Sequence, residues 1–152
     1  MRIRNSVKAI VLQDGRLLCN QNQDQRGIFY CLPGGGQEYQ ENLREAVVRE
    51  CLEEVSARVE VGELLFVRDY IGRNHAGQER LQRVHQVEFF FRCQLAPEAV
   101  PALGTGADRY QTGVSWLPLT ELEAAGFYPK DLIPWLFDLA HPERPVYLGD
   151  MD

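Results

Sequence analysis

The sequence predicts an α/β fold, a mixed β-sheet covered on both faces by helices, built as a single domain over residues 1–152. Three observations carry this expectation. Runs of Val, Leu, Ile and Phe at strand length lie on both sides of one strongly patterned central helix. Further helical segments come only late in the chain, after the longest strands, which suits a sheet with helices on two faces. Finally, 152 residues of which 45% are apolar can bury one sizeable core, and no internal repeat or second domain interrupts them.

The elements are expected in the following order. Residues 6–12 form a strand, and Asp14-Gly15 is a two-residue hairpin turn. Residues 16–21 return as the second strand, and the polar stretch 20–27 is a loop. Residues 29–32 are a short extended piece ending at Pro33, followed by three glycines, where the absence of a Cβ lets backbone approach a metal or phosphate closely. The central helix covers 41–55, and 58–70 is extended with a break at Gly62-Glu63. A polar loop over 72–83 leads to the clearest strand, 84–95, which carries Phe89, Phe90 and Phe91. A Pro- and Gly-bearing loop, 96–112, precedes a strand over 113–117, and Thr120 is placed to cap a short helix reaching 125. Residues 131–140 read as the last helix and 145–149 as an extended tail.

Composition excludes several classes. A formal charge of −6 gives no electrostatic footprint for bulk nucleic acid, though a few local cations can still receive a small anion in a cleft. Cys19, Cys31, Cys51 and Cys93 show no CxxC spacing and sit in apolar runs, as reduced thiols of a cytoplasmic protein would, and this argues against a zinc site. The sequence starts directly on a strand with no signal peptide, and no apolar run is long enough to span a bilayer.

The central helix carries the chemistry. At about 100° per residue, with Leu43 at zero, Glu50 falls near 340°, Glu53 near 280° and Glu54 near 20°. Val47, Val48, Cys51, Leu52 and Val55 form a separate apolar stripe. Glu50 with Glu53 and Glu50 with Glu54 are like-charge pairs one turn apart, which destabilise a helix. Glu45 and Arg49 form a favourable pair and Arg49 also reaches Glu53, but no basic residue on the helix is spaced to neutralise Glu50 or Glu54. Crowded carboxylates of this kind suit a hard divalent cation.

The segment from Gly35 to Ala57 resembles the signature of the Nudix hydrolases, G-x5-E-x7-R-E-U-x-E-E-x-G-U, where U is a bulky aliphatic residue. Gly35, Glu41, Arg49, Glu50, Glu53 and Glu54 stand at the specified positions. Six such matches arise by chance about once in 10⁵ chains of this length. Ser56 stands where the family has glycine, and Cys51 and Ala57 are small for the U positions. Serine in the left-handed conformation of a helix exit costs about 1 kcal/mol. The stretch from Leu32 to Gly36 and that from Trp116 to Leu122 also resemble Nudix surroundings, so the likeness covers most of the chain.

The resemblance implies the α/β/α sandwich of the Nudix fold and a metal-dependent hydrolysis of a phosphoanhydride in a nucleoside diphosphate linked to another moiety. Mg²⁺ or Mn²⁺ is the implied cofactor. Metal ligands would be Glu50, Glu54, Glu53 and the carbonyl of Gly35, and the catalytic set Glu53, Glu54 and Arg49, with Glu41 supporting the shell. An acidic group outside the signature would come from Glu79, Glu88 or Asp108; Glu88 reads equally well as a cross-strand charge pair. Arg26, Phe29 and Tyr30 are candidate substrate contacts, as are the aromatic rings of Tyr39, Tyr70, Tyr110 and Tyr128. Arg68, Arg73 and Arg80, like Arg26, are candidate phosphate contacts, with solvated surface charge the commoner role for any one of them, and His75 and His85 read as loop and strand residues without a catalytic task.

The first substrate expected is ADP-ribose or another nucleotide sugar, because two long loops could enclose a substrate extended on both sides of its diphosphate. A pyrophosphatase acting on normal or damaged (d)NTPs is the alternative, and a nucleotide sensor without activity is a third reading. The partner is thus a small nucleotide, with no bulk nucleic acid and no membrane. A homodimer is a further expectation of the family, with Val146-Tyr147-Leu148 as one contact.

Overall fold

The structure, a computed structural model, describes residues 2–75 and 79–151, with the side chains of 79 and 80 excepted. The candidates Glu79 and Arg80 therefore lie outside the described side chains. Strands β1 (Arg4–Gln13), β2 (Arg16–Asp24) and β3 (Gly27–Cys31) precede helix α1 (Leu43–Val55). Then come β4 (Val59–Ile71), β5 (His85–Leu95), β6 (Gln111–Pro118), α2 (Leu122–Ala125), β7 (Phe127–Tyr128), α3 (Ile133–Leu136) and β8 (Tyr147–Asp150).

Side-chain alternation along β1 sets up two cores. Val7, Ala9 and Val11 pack under α1 with Val47, Cys51, Val55, Phe91 and Cys93. Ile10 faces the other way, joining Phe66, Phe90, Leu122, Phe127, Leu132 and Leu136 beneath the late helices. The sheet is mixed: β1 runs parallel to β5, β5 antiparallel to β4, and β4 parallel to β8. At the Asp14-Gly15 turn β1 hands over to β2, which then pairs with both β3 and β6 while β1 diverges toward β5. That divergence opens a cleft between the two halves of the curled sheet. This is the α/β/α arrangement expected from the sequence.

Several elements differ from expectation. The second strand runs on to Asp24, because Asn20 and Asn22 are buried and bonded rather than solvated. Gly62-Glu63 does not break β4; the ladder absorbs it as register shifts between Val61 and Phe66. Thr120 makes no cap, since a 3₁₀ turn over Leu119–Glu121 leads into α2 without one. The last helix is a single turn. Beyond it the carboxylate of Asp138 accepts the Ala140 N–H, which offers the backbone an alternative to helix.

The tail adds β8 to the edge of β4, with Val67 N–H donating to Val146 O at 2.7 Å. The backbone of Val146-Tyr147-Leu148, expected at a dimer contact, is thus engaged with the chain's own sheet, and Leu148 packs on its core. Among the described residues no helix is long and apolar enough to cross a membrane.

Candidate active site

Both ends of α1 are fastened, and this fixes where its carboxylates stand. Asn42 caps the start, accepting the Arg44 and Glu45 N–H groups, while Glu45 Oε2 accepts the Asn42 N–H at 2.8 Å in a capping box. Ser56 ends the helix in the left-handed region, at φ 50° and ψ 25°, so the family's glycine conformation is kept by serine. The orphan carbonyls of the last turn accept from the following loop: Ala102 N–H reaches Val55 O, Gly104 N–H reaches Glu54 O, and Gly106 N–H reaches Glu53 O. Gln111 Nε2 adds a bond to Glu54 O at 2.8 Å. Much of the loop expected to enclose substrate is therefore docked on the helix.

Glu50 and Glu54 are 8% and 4% exposed, whereas the Glu53 side chain is 44% exposed. Glu54 Oε2 is held by Asn20 Nδ2 at 2.6 Å and by the Gly34 N–H at 2.8 Å. Glu50 lies against Gly35, where a Cβ would sit 2.5 Å from Glu50 Oε1, so any larger residue would displace the Glu50 carboxylate.

Arg49 ties the cluster together. Its guanidinium binds Glu41 through two nitrogens at 2.7 and 3.1 Å, Glu50 at 2.9 Å, Glu53 at 3.2 Å and Gly36 O at 2.9 Å. The expected pair with Glu45 does not form, because Glu45 serves the cap. Helix spacing also left Glu50 without a counter-ion, yet the long Arg49 side chain curls back to its neighbour. The Arg49 bond holds the Glu41 carboxyl below its ordinary range. Burial dominates at Glu50 and Glu54 and pushes both carboxyls up, against the opposing pull of Arg49 on one and Lys8 on the other.

Whether this donor set suits a divalent cation can be judged from its free oxygens. Among the described residues Glu50 Oε2, Glu53 Oε1 and Glu54 Oε1 accept no hydrogen bond. Among the same residues no three ligating side chains stand close enough to enclose an ion by themselves. Such a site fits Mg²⁺, which uses one or two carboxylates and completes its shell with water and substrate phosphate. The Gly35 carbonyl does not fit the expected ligand role. It accepts from Val7 N–H at 2.8 Å and Ser6 Oγ at 3.0 Å, both on β1.

The cleft between the sheet halves has a volume of about 580 Å³; Glu50, Glu53 and Glu54 are not on its lining, and Glu54 is joined to its wall through Gly34 and Lys8. Phe29, Tyr70, Tyr110 and Tyr128 line it, with Lys8, Arg68 and Glu88 in its wall and Arg26 and Lys130 also on its lining. Tyr30 is not on its lining: strand alternation turns this ring away from Phe29 onto the core that carries Phe90 and Phe127, and its hydroxyl donates to Gln21 Oε1. Arg26 is engaged with Asp24. Tyr39 is 92% exposed, and Asp108 is exposed on its loop.

Arg68 is the largest departure, fully buried where solvated charge was expected. Its Nε donates to Glu88 Oε2 at 2.6 Å, its Nη1 to Met151 O at 2.9 Å, and Tyr128, Tyr70 and Phe90 offer ring faces at 5.0, 5.6 and 5.9 Å. Of the two open readings of Glu88, the cross-strand pair is the one formed, and it forms in the cleft wall. His75 stacks on Tyr70 and bonds Asp150, and His85 bonds Asp69.

Lys8 and Asn20 were missed. Each is a lone polar residue in an apolar strand, the pattern that marks a buried polar group with an assigned partner. For Asn20 the partner is Glu54.

Comparison with known proteins gives a family and a fold. The family model described as NUDIX domain matches residues 2–136. The chain is 30% identical over 106 residues to the nucleoside triphosphatase NudI of Escherichia coli (strain SE11), covering 66% of this chain and 74% of that protein. Among solved structures, a NUDIX hydrolase from Nitrosomonas europaea superposes with a TM-score of 0.70 at 18% identity, over 97% of this chain and 94% of the other. A UDP-X diphosphatase gives 0.71 at 19% identity, over 99% and 68%. An ADP-ribose pyrophosphatase from Streptococcus suis 89-1591 gives 0.65 at 17% identity, over 98% and 100%. At these identities the solved structures speak for the fold.

Proposed function

This chain belongs to the Nudix hydrolase family and is a pyrophosphohydrolase acting on acid anhydrides, and from that footing we propose that it cleaves the phosphoanhydride of a nucleoside diphosphate derivative with Mg²⁺ or Mn²⁺ bound at Glu50 and Glu54. The observation that carries the reading is the set of free carboxylate oxygens on Glu50, Glu53 and Glu54, with Glu54 joined through Gly34 and Lys8 to the wall of a cleft lined by aromatic rings. A bound divalent cation supplies Lewis-acid activation of water and stabilises charge on the phosphate oxygens.

The protein's own groups do the rest. Asn20 and the Gly34 N–H fix Glu54 by one oxygen and leave the other for the cation. Arg49 holds Glu50, Glu53 and Glu41 in register. Glu53, the most solvent-exposed of the three, is placed to accept a proton from the attacking water. Aromatic rings in the cleft suit the base or sugar end of a nucleotide.

A nucleotide sugar such as ADP-ribose is the first substrate proposed. The carboxylates stand between two recesses, so a substrate can extend both ways from its diphosphate. Arg49, bonded to Glu50, lines a groove of about 790 Å³ along α1, while Lys8, one glycine away from Glu54, lines the cleft. Nucleoside triphosphates are the second reading, favoured by the name of the NudI relative and by the docking of residues 102–106 on α1 rather than over the cleft. A panel of nucleotide sugars and (d)NTPs with Mg²⁺, read by phosphate release after phosphatase coupling, separates the two. Hydrolysis of nothing on the panel, with ligand-dependent melting shifts, would favour a sensor instead.

A further inference from the structure

Lys8 is a half-buried cation that touches no carboxylate directly. Its Nζ makes one hydrogen bond, to Gly34 O at 3.2 Å, and among the described residues it forms no ion pair. A charge partly withdrawn from water is ordinarily compensated by a partner, since losing hydration is costly. The nearby carboxylates bond other groups, although Glu54 keeps Oε1 free. Glu88 Oε2 accepts from Arg68 and Oε1 from Gln86 Nε2 at 2.7 Å, while Glu54 Oε2 accepts from Asn20 and Gly34. Of the other cleft cations, Arg68 is bound to Glu88 and Arg26 to Asp24, while Arg4 and Lys130 are exposed to solvent. Burial draws the Lys8 ammonium toward neutrality, but Glu88, Cys31 and Glu54 outweigh it and hold its pKa above the ordinary lysine value, so the charge is present throughout the working range.

Its position is as telling as its charge. Gly34 donates its N–H to Glu54 and accepts Lys8 on its carbonyl, so one residue's backbone separates the ammonium from the catalytic carboxylate. No side chain fits there: a Cβ on Gly34 would lie 2.0 Å from Val7 O. The glycine turn thus fixes Lys8 in the cleft wall next to the acidic cluster, with two ammonium N–H donors left for a ligand.

We infer that Lys8 anchors the substrate's diphosphate, its spare donors binding non-bridging phosphate oxygens on the cleft side while Glu50 and Glu54 serve the other side. This rests on the hydrolase reading above and adds to it a residue outside the Nudix signature.

The test uses inorganic pyrophosphate and the intact protein in the presence of a chelator, so that neither metal nor turnover enters. Lys8 and Lys130 are the two lysines of the chain, so ¹³Cε-lysine labelling gives a readable spectrum. Pyrophosphate should shift the Lys8 signal. Lys8→Met should bind pyrophosphate at least about 10-fold more weakly, as expected for loss of a charge-assisted bond, while Lys8→Arg keeps most of the affinity. An unmoved Lys8 signal at saturating pyrophosphate, no binding by the wild type, or a folded Lys8→Met variant that binds as tightly as wild type would overturn the inference. If Lys8→Met does not fold, the labelled wild type decides alone. Failure of the substrate panel together with a shifted Lys8 signal would remove the hydrolase reading and leave the anchor standing.

Discussion

Two charged assemblies flank Lys8, and they are built on opposite plans. In the Arg68–Glu88 pair each carboxylate oxygen has a donor, the guanidinium also reaches the backbone at Met151, and three rings cover its faces. In the α1 cluster Arg49 and Asn20 hold one oxygen each of Glu50 and Glu54 and leave the other uncommitted. The first assembly is closed and joins β4, β5 and the C-terminal segment. The second is orientated but unfinished, and burial raises both its carboxyls because no full counter-charge is present. Buried charge alone does not mark an active site; buried charge with unfilled oxygens does.

The comparison can be broken at either end. The largest effect is expected in the closed pair: Arg68→Met strands Glu88 in the interior and should cost about 3–5 kcal/mol of stability by denaturant unfolding, whereas Arg68→Met with Glu88→Leu should recover much of it. Losses that simply add would show that the two charges are not coupled. Next comes Glu54→Gln, expected to keep the fold and lower turnover at least about 10²-fold, or about 2.7 kcal/mol on the barrier. Full activity in that variant would place the chemistry elsewhere.

The open cluster should also show itself in pH dependence. A carboxylate binds a cation only when ionised, and burial raises both Glu50 and Glu54 in the metal-free protein, so Mg²⁺ affinity, and activity at limiting Mg²⁺, should fall as the pH is lowered. The stability effect has the reverse sign. A carboxyl whose folded pKa is raised favours the folded state at low pH and loses that contribution as pH rises through the folded value. Added Mg²⁺ should therefore stabilise the protein most at neutral pH and little near pH 4, measured by melting temperature.

The smallest effect concerns the helix exit. Ser56→Gly relieves a left-handed serine and should add about 0.5–1 kcal/mol to stability without altering turnover.

The cluster on α1 was legible because helical periodicity and one signature fix which residues share an arc. Ser56 was legible too, as a glycine position filled at some cost. What sequence left hidden depends on pairing between distant strands. Arg68 reads as surface charge until β4 is laid beside β5 in the register that sets it opposite Glu88. Lys8 has no meaning before the glycine turn crosses β1, and Asn20 none before α1 is lowered onto β2. Tyr30 was separated from Phe29 by alternation alone, which needs the strand to be assigned first. Gly35 was expected to offer a carbonyl, but the turn gives that oxygen to Ser6 and Val7 and its bare Cα to Glu50.

The central claim is that the uncommitted oxygens of Glu50 and Glu54 receive a divalent cation. Titration of Mn²⁺ into the substrate-free protein, followed by electron paramagnetic resonance, tests it most directly. Bound Mn²⁺ is expected in the wild type, and binding at least about 10-fold weaker in Glu54→Gln, with the fold unchanged. Equal Mn²⁺ binding by the two proteins would contradict it.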